Sequence, residues 1–179
     1  VLVRALVGLF MIIPLVSKSG LRSLRTRQIP MHLLRTAFSF VAMLGFFYAL
    51  GYVSVADVTA FSFLIPLFTT IAVALVLGEA VDAPRWLATI VGFLGALVII
   101  RPGFQEITFP AMVAISSALF YAGAWTTVKF LTRTDSASII VFYMNVFMMP
   151  LALAVSLFFW VMPAWDDVPL LLIMALSGW

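Results

Sequence analysis

The sequence predicts an all-α polytopic membrane protein, and three observations support this prediction. The 179 residues are 65% hydrophobic and 9% charged, with a mean hydropathy of +1.22, whereas soluble domains are about half apolar and about one quarter charged. Apolar runs of roughly membrane-spanning length recur along the chain. The charged residues gather in the short segments between these runs. Because hydrocarbon offers no partner to backbone groups, the runs are expected to be helices.

The central run lies between Asp57 and Glu79. Its 21 uncharged residues, 58–78, would form a helix of about 31 Å, which matches a hydrocarbon core of about 30 Å. Pro66 near its middle predicts a break at mid-depth, because proline supplies no N–H to the helix. The other predicted spans are 1–17, 36–56, 86–100, 107–128, 136–165 (broken by Pro150) and 168–179.

Both ends of the sequence fall within apolar runs, so the chain is expected to be a piece of a longer protein. Residues 1–16 resemble the apolar part of a signal peptide. The spans that follow favour a truncated transmembrane helix instead.

The basic residues predict the orientation in the membrane. Eight of the ten lie in loops 18–35, 80–85 and 129–135, which alternate with the other loops and are therefore placed in the cytoplasm of a bacterial inner membrane. The same segregation argues against nucleic-acid binding. These residues are Lys18, Arg22, Arg25, Arg27, Arg35, Arg85, Lys129 and Arg133.

Little in the sequence suggests an enzyme. It has no cysteine, its one histidine, His32, lies in a basic loop, and no span holds paired acids. An intramembrane enzyme would need a nucleophile with a base, a metal site or paired acids. We therefore expect no catalytic residue, metal or cofactor. The function expected is transport of a small solute, with a membrane scaffold or receptor and, behind it, an intramembrane enzyme as alternatives.

Small polar residues recur at steps of three and four along the central run and form one stripe on its helix. This polar stripe predicts a surface that lines a substrate pathway, because polar groups at membrane depth face protein or water. The alternative is that the hydroxyls bond to their own helix and the proline only bends it. The stripe consists of Thr59, Ser62, Pro66, Thr69 and Thr70.

Other candidates for substrate contact lie on neighbouring spans. Ser117, Tyr121 and Trp125 follow each other at steps of four, which suits either stacking on a flat substrate or ordinary packing. Tyr48 is a further aromatic candidate. Asn145 is the most polar side chain of its span, and a hydrogen bond between helices is the alternative to substrate contact.

Asp57 and Glu79 mark the ends of the central run. Asp57 is expected to cap the helix N-terminus, with proton carriage as the alternative. Glu79 lies at the C-terminal end, where the helix dipole disfavours an anion. It is expected to form a gating or structural ion pair on the cytoplasmic side, with proton carriage again as the alternative.

Two segments of the chain resemble each other. FMIIPLV at 10–16 and FMMPLAL at 147–153 place Pro14 and Pro150 136 residues apart. With five helices in each unit, the two halves would have opposite orientations in the membrane. Inverted repeats of this kind are typical of secondary transporters.

The chain resembles the EamA-type transporters of the drug/metabolite transporter superfamily. The resemblance rests on LVRALVGLFMIIPL (2–15), FFYALGYVSVADVTAFSFLIPLF (46–68), Gly78-Glu79 and GFLGALVIIRPG (92–103), in this order and spacing. It implies a fragment, about helices 2 to 8, of a ten-helix bundle built from two inverted five-helix repeats, here 1–103 and 104–179.

The resemblance also implies a function. Members carry small metabolites, amino acids and drugs by alternating access, commonly with proton coupling or exchange. The implied partners are a small organic solute, the lipid bilayer and, as a candidate, protons. Three family positions carry over, namely Arg4 at the start of helix 2, the helix-4 proline Pro66 and the terminal glutamate Glu79. The substrate, the direction of transport and the oligomeric state are not predicted.

Overall fold

A computed structural model describes residues 26–78, 80–100 and 108–158 of the chain. Within these ranges it contains α-helices and no strand, which confirms the all-α prediction. The predicted spans 1–17 and 168–179 lie outside the described residues. The helices are α1 (Ile29–Leu50), α2 (Val55–Ser62), α3 (Leu64–Val76), α4 (Ala83–Ile100), α5 (Phe109–Leu131) and α6 (Ala137–Phe158).

In the described part of the chain, four helical stretches are long and apolar enough to cross a membrane. They are Ile29–Leu50, Val55–Val76, Phe109–Leu131 and Ala137–Phe158, and α4 is a shorter apolar helix. Large apolar side chains such as Leu75, Val98 and Phe158 are largely exposed. Monomeric soluble proteins rarely expose extended apolar surfaces. The chain is therefore an integral, multi-pass membrane protein.

The start of α1 corrects the predicted loop 18–35 and the predicted span 36–56. The helix begins at Ile29, where the N–H of His32 donates to the carbonyl of Gln28 at 3.1 Å. Pro30 stands in the first turn, where a missing N–H costs nothing. The prediction missed this start because the arginines of the segment were all assigned to a loop.

The central span is broken, but one turn before its proline. α2 ends at Ser62, and α3 begins at Leu64. Between them the N–H of Phe63 bonds to the carbonyl of Ala60 at 3.1 Å, which tightens the chain locally. Because Pro66 has no N–H and its ring crowds the carbonyl four residues earlier, the irregularity falls near Ser62 and Phe63.

The turns that follow also differ from the predicted loops. Two residues after the end of α3, Gly78 has a left-handed backbone (φ 62°), a conformation that glycine adopts without steric cost. In the described residues, the predicted loops 80–85 and 129–135 become 80–82, with 77–78 before it, and 132–136. The predicted spans 86–100 and 107–128 become Ala83–Ile100 and Phe109–Leu131.

Pro150 does not break its helix, which corrects the prediction for the run 136–165. α6 continues through this residue from Ala137 to Phe158, the last described residue. Proline is tolerated inside membrane helices where local adjustments satisfy the freed backbone carbonyl.

The described residues fall into two compact units. Residues 26–36 and 131–158 form unit 1, and residues 37–130 form unit 2. Within unit 2, α2 and α3 both pack against α4. Its core also joins the end of α1 to the first half of α5 through small side chains. The buried members of this core are Ala49, Val58, Phe61, Leu64, Ala111, Ala114 and Ala118.

Gly45 permits the close approach of α1 and α5 in unit 2. A Cβ added at this glycine would lie 3.2 Å from Ser117 Cβ and 3.4 Å from Val113 Cγ1. Small residues at such positions let two membrane helices pack backbone against backbone. A Cβ added at Gly95 of α4 would meet nothing within 4 Å.

We predict that Gly45→Val destabilises the protein by about 1–3 kcal/mol, because the side chain overfills a packed contact. Gly95→Val is the matched control, since it introduces the same side chain into a membrane helix at an open position. Thermal unfolding of the purified complete protein in detergent measures both effects. Equal losses of stability in the two variants would contradict the close packing at Gly45.

Candidate functional site

The hydroxyls of the polar stripe are bonded mainly to their own helix. Thr59 Oγ1 donates to the carbonyl of Val55 at 2.7 Å, and Thr69 Oγ1 donates to Ile65 at 2.7 Å. Ser62 Oγ donates to the carbonyl four residues earlier at 3.1 Å. These bonds agree with the alternative interpretation of the stripe, in which the hydroxyls bond to their own helix. Since each hydroxyl oxygen also has lone pairs, these residues keep the capacity to accept a hydrogen bond.

Thr70 differs from the rest of the stripe because its hydroxyl faces another helix. It is buried, and its Oγ1 lies 3.4 Å from Thr89 Oγ1 of α4. Thr89 gives its own hydroxyl hydrogen to the carbonyl of Arg85 at 2.8 Å. Thr70 is therefore the donor of this long contact, which ties α3 to α4 near the cytoplasmic end predicted for both.

The stripe lies beside the packed face of α2 and α3, not on it. Val58, Phe61 and Leu64 enter the core of unit 2, whereas Thr59 and Pro66 are exposed. Ser62 and Thr69 are half-buried and Thr70 is buried, so the exposure of the stripe decreases toward its C-terminal end. The stripe passes the helix break at Phe63.

Ser117 joins two helices. It is buried, and its Oγ donates to the carbonyl of Ala42 in α1 at 2.5 Å. This contact coincides with the close approach at Gly45. Ser117 therefore takes part in helix packing, which was the alternative to substrate contact for the row Ser117, Tyr121 and Trp125. In the same row, Trp125 is 56% exposed.

Tyr48 belongs to an aromatic group at the end of α1. Its ring centroid lies 5.0 Å from that of Tyr52 and 6.4 Å from that of Phe109, with the second pair edge to face. All three side chains are exposed. Such a group suits either the interfacial aromatic belt of a membrane protein or contact with a flat solute.

Asn145 is buried in unit 1, on α6. Its Nδ2 donates to the carbonyl of Val141 in the same helix at 2.9 Å. This observed bond lies within one helix, whereas the predicted structural role was a bond between helices.

Asp57 takes part in the cap of α2, but it is not the cap residue. Ser54 holds that position, and its Oγ accepts from the Asp57 N–H at 3.1 Å. The same hydroxyl donates to Asp57 Oδ2 at 2.6 Å. The first bond is an ordinary N-cap bond, and the second joins the two side chains. The other two charged candidates, Arg4 and Glu79, lie outside the described residues.

The structure brings together a group of polar side chains that the sequence did not predict, in unit 1. His32 Nε2 lies 2.8 Å from Asp135 Oδ2, which also accepts from Thr26 Oγ1 at 2.6 Å. The side chains of His32 and Asp135 are 0% and 7% exposed, respectively. The ring of Tyr143 in α6 stacks on the imidazole at a centroid distance of 4.8 Å. With Arg35, these residues form the His32 cluster.

Arg35 lies one helical turn after His32 on α1. Its Nη1 donates to the carbonyl of Ile140 in the first turn of α6 at 3.1 Å. Two buried nitrogens of the cluster, His32 Nδ1 and Arg35 Nε, have no hydrogen-bond partner among the residues that the structure describes. Buried polar atoms are usually paired, so each exception calls for an explanation.

The sequence contained a signal for this cluster. His32 and Arg35 are three residues apart, a spacing that places two side chains on one face of a helix. Pro30 marks the helix start that makes the spacing meaningful. The described ranges contain no group of three or more His, Cys, Asp or Glu residues that could hold a metal ion.

A bundle of membrane-length helices that carries uncharged polar groups defines a polytopic membrane protein of the kind that includes small-solute transporters. The comparisons with known proteins specify the family. The EamA-like transporter family matches residues 1–101. This match covers more than half of the sequence, and the chain belongs to the EamA-like transporter family.

Several curated relatives match most of the chain. It is 35% identical to the riboflavin transporter of Vibrio cholerae, over 96% of this chain and 58% of the relative. It is 29% identical to the S-adenosylmethionine uptake transporter of Rickettsia prowazekii, over 93% and 57%. It is 32% identical to the pseudopaline exporter CntI of Pseudomonas aeruginosa, over 78% and 49%. No solved structure matches the chain.

The chain thus spans little more than half the length of the curated relatives it matches most extensively. These relatives are named as transporters and not as enzymes. This finding confirms the expectation that the chain does not belong to an enzyme family.

We predict that Ser117→Ala destabilises the protein by about 0.5–1.5 kcal/mol, because it removes a buried hydrogen bond between helices. Ser116→Ala is the matched control, since Ser116 is exposed and donates to the carbonyl of Met112 in its own helix. Thermal unfolding of the complete protein reports the difference. If Ser117→Ala left stability unchanged and altered the apparent substrate affinity instead, Ser117 would be a substrate contact and not a packing residue.

Proposed function

We propose that the complete protein is a secondary transporter that moves a small organic metabolite across the membrane by alternating access. The observation that carries this proposal is the similarity of almost the whole chain to named transporters of small metabolites. Their printed names include both an uptake transporter and an exporter, so the direction of transport is left to the flux experiment.

The geometry of unit 2 supports the same function. A span of 22 residues, Val55–Val76, is interrupted at Phe63. The interruption lies about 12 Å from the start of the span, near the middle of a hydrocarbon core of about 30 Å. Transporters commonly place substrate sites at such discontinuous helices, because the freed backbone groups and nearby hydroxyls can contact a polar solute.

The proposed pathway consists of the stripe and the residues predicted with it. On the stripe, the oxygens of Thr59, Ser62 and Thr69 would act as hydrogen-bond acceptors, because their hydrogens are already donated to the helix. Pro66 would supply the break, and Thr70 would hold α3 against α4. The further candidates for contact with the solute are Tyr48, Tyr121 and Trp125 in unit 2 and, taken separately, Asn145 in unit 1. Ser117, the remaining candidate, is buried and donates to the carbonyl of Ala42.

We propose a planar, nitrogen-containing heteroaromatic metabolite as the substrate, with a flavin as the first compound to test. Two of the named relatives are transporters of riboflavin and of S-adenosylmethionine, and both compounds contain a fused heteroaromatic ring. The exposed ring of either Tyr48 or Trp125 could stack on such a ring system. Its N–H groups would match the acceptor oxygens of the stripe.

We also propose that residues 1–103 belong to the first of two inverted repeats and residues 104–179 to the second. The family match ends at residue 101, close to this boundary. The two prolines at 14 and 150 would then occupy equivalent positions in the two halves.

Counterflow in proteoliposomes tests the proposed function. The complete protein, loaded inside with unlabelled riboflavin, should take up labelled riboflavin in a saturable manner, and S-adenosylmethionine should be tried in the same way. Absence of saturable flux for either compound, from folded protein, would contradict the substrate proposal. A stable protein partner without flux would favour a scaffold, and chemical conversion without translocation would favour an enzyme.

The stripe is tested in the same assay with Ser62→Leu. We expect counterflow to fall by about tenfold or more, because each lost interaction of about 1.4 kcal/mol reduces binding tenfold. Leu75→Phe is the control, since it adds bulk to α3 at a largely exposed position away from the stripe. Normal transport by Ser62→Leu would make the stripe structural.

We propose that the loops with most of the basic residues face the cytoplasm of the inner membrane, because of the positive-inside rule. These 179 residues contain no cysteine, so single cysteines introduced here can report orientation in the complete protein, with any cysteine elsewhere replaced. Tyr52→Cys should react with a membrane-impermeant maleimide from the periplasmic side, once the outer membrane is permeabilised. Thr134→Cys should react only after the inner membrane is opened. The opposite pattern would reverse the orientation.

A further inference from the structure

We propose that His32, held by Asp135, is the group that binds and releases the coupling proton of this transporter. The inference rests on the proposed function, because a coupling proton has a role only in a protein that moves a solute. It assigns a specific ligand, a proton, to the His32 cluster of unit 1.

The geometry leaves one atom of the cluster ready to take a proton. Asp135 Oδ2 accepts the hydroxyl hydrogen of Thr26 at 2.6 Å, so it acts as an acceptor toward His32 Nε2 as well, at 2.8 Å. Nε2 then carries a hydrogen in both charge states of the imidazole. The lone pair of Nδ1 is the position that can be protonated, and Nδ1 has no partner among the described residues.

The reaction is a simple proton transfer. A proton from water adds to Nδ1 and converts the neutral imidazole into an imidazolium, and the reverse step returns the proton to water. Histidine is the side chain whose charge changes most readily near neutral pH. Because the side chain of His32 is fully buried in the state described, exchange with water requires this part of the protein to open.

The charged and titratable groups around the imidazole come from three elements. Asp135 lies in the turn between α5 and α6 and contacts Nε2. Arg35 lies one turn later on α1 itself. Tyr143 of α6 stacks on the ring. These contacts place one acidic and one basic side chain in the same cluster as the imidazole.

The same contacts connect the proton to a conformational change. The cluster joins the segment before α1, the first turns of α1 and the start of α6 through Thr26, His32, Arg35 and Ile140. A proton on His32 alters the strength of the bond to Asp135. The proton therefore binds with different affinities to the arrangement described and to an open one, which is the requirement for shifting a two-state equilibrium.

Asp57 is a weaker candidate for the same role. Its carboxylate lies in the first turn of α2 and accepts the hydroxyl hydrogen of the N-cap residue Ser54. Its position is explained by helix capping alone. The buried Nδ1 of His32, which has no partner among the described residues, is not explained by helix capping.

The test compares two assays of the complete protein in proteoliposomes. Counterflow needs no gradient, whereas accumulation of riboflavin driven by a pH gradient needs the coupling proton. Glutamine at position 32 can still donate an N–H to Asp135, but it cannot take up a proton. We therefore expect H32Q to retain counterflow and to lose gradient-driven accumulation by about tenfold or more.

Thr36→Val is the matched control, because Thr36 is buried beside the cluster and donates to the carbonyl of His32 at 2.9 Å but does not titrate. It should retain the gradient response of the wild type. Loss of that response in Thr36→Val to the same extent as in H32Q would show a merely structural role for the cluster and overturn the proposal.

A direct titration gives a second readout. Ring signals of His32, assigned by their disappearance in H32Q, should change with pH in NMR spectra of the wild-type protein, and D135N should move the midpoint. This measurement decides the case if H32Q loses both transport activities. Ring signals that stay constant between about pH 5 and pH 8 would overturn the proposal.

The two proposals fail in different ways. Absence of counterflow in the wild type would contradict the proposed function itself. Counterflow that is present in the wild type, together with gradient-driven accumulation that H32Q retains, would overturn only the role of His32. Wild-type counterflow without any response to a pH gradient would also overturn the role of His32 and leave the proposed function standing.

Discussion

Hydrocarbon offers no hydrogen-bond partner to a peptide group, and the rest of the structure depends on this constraint. Every described span is helical because only a helix satisfies its backbone within itself. The hydroxyls follow the same rule, since Thr59, Ser62 and Thr69 donate to carbonyls one turn earlier in their own helices. Irregular backbone occurs at the turns and at Phe63, next to a proline that cannot donate at all.

Against this background, several polar contacts between elements stand out in the described part of the chain. Ser117 fastens α5 to α1, and Thr70 reaches Thr89 of α4. These contacts are uncharged. The bond between His32 and Asp135 is different in kind, because it involves a carboxylate and a titratable ring. A buried polar group that loses its partner costs about 1–3 kcal/mol, and a buried charged pair that is broken costs more.

The sequence was sufficient for the fold class and for the approximate position of each described helix, because apolar length and charge placement carry that information. It was insufficient for helix ends. The arginines before residue 36 concealed the start of α1, although Pro30 indicated it. For the site, the regular spacing of the stripe was visible, but the partner of Ser117 depends on how two helices approach at Gly45. The pairing of His32 with Asp135 joins residues 103 positions apart, which no local pattern reveals.

The rule that a proline breaks a helix predicts the structure correctly at Pro66 and wrongly at Pro150. Both remove an N–H from a membrane helix, and only the first accompanies a break. At Pro66 the break falls where Phe61 and Leu64 are both drawn into the core of unit 2, so tertiary packing holds the chain on each side of the irregularity. Both prolines are exposed, and Pro150 is also flanked by buried residues, Met148 and Ala152, yet a regular helix continues through it. A proline therefore permits a break without requiring one, and neither its exposure nor the burial of its neighbours distinguishes the two sites. The difference lies in the backbone at Phe63, where the N–H bonds three residues back to the carbonyl of Ala60 and tightens the chain before Pro66.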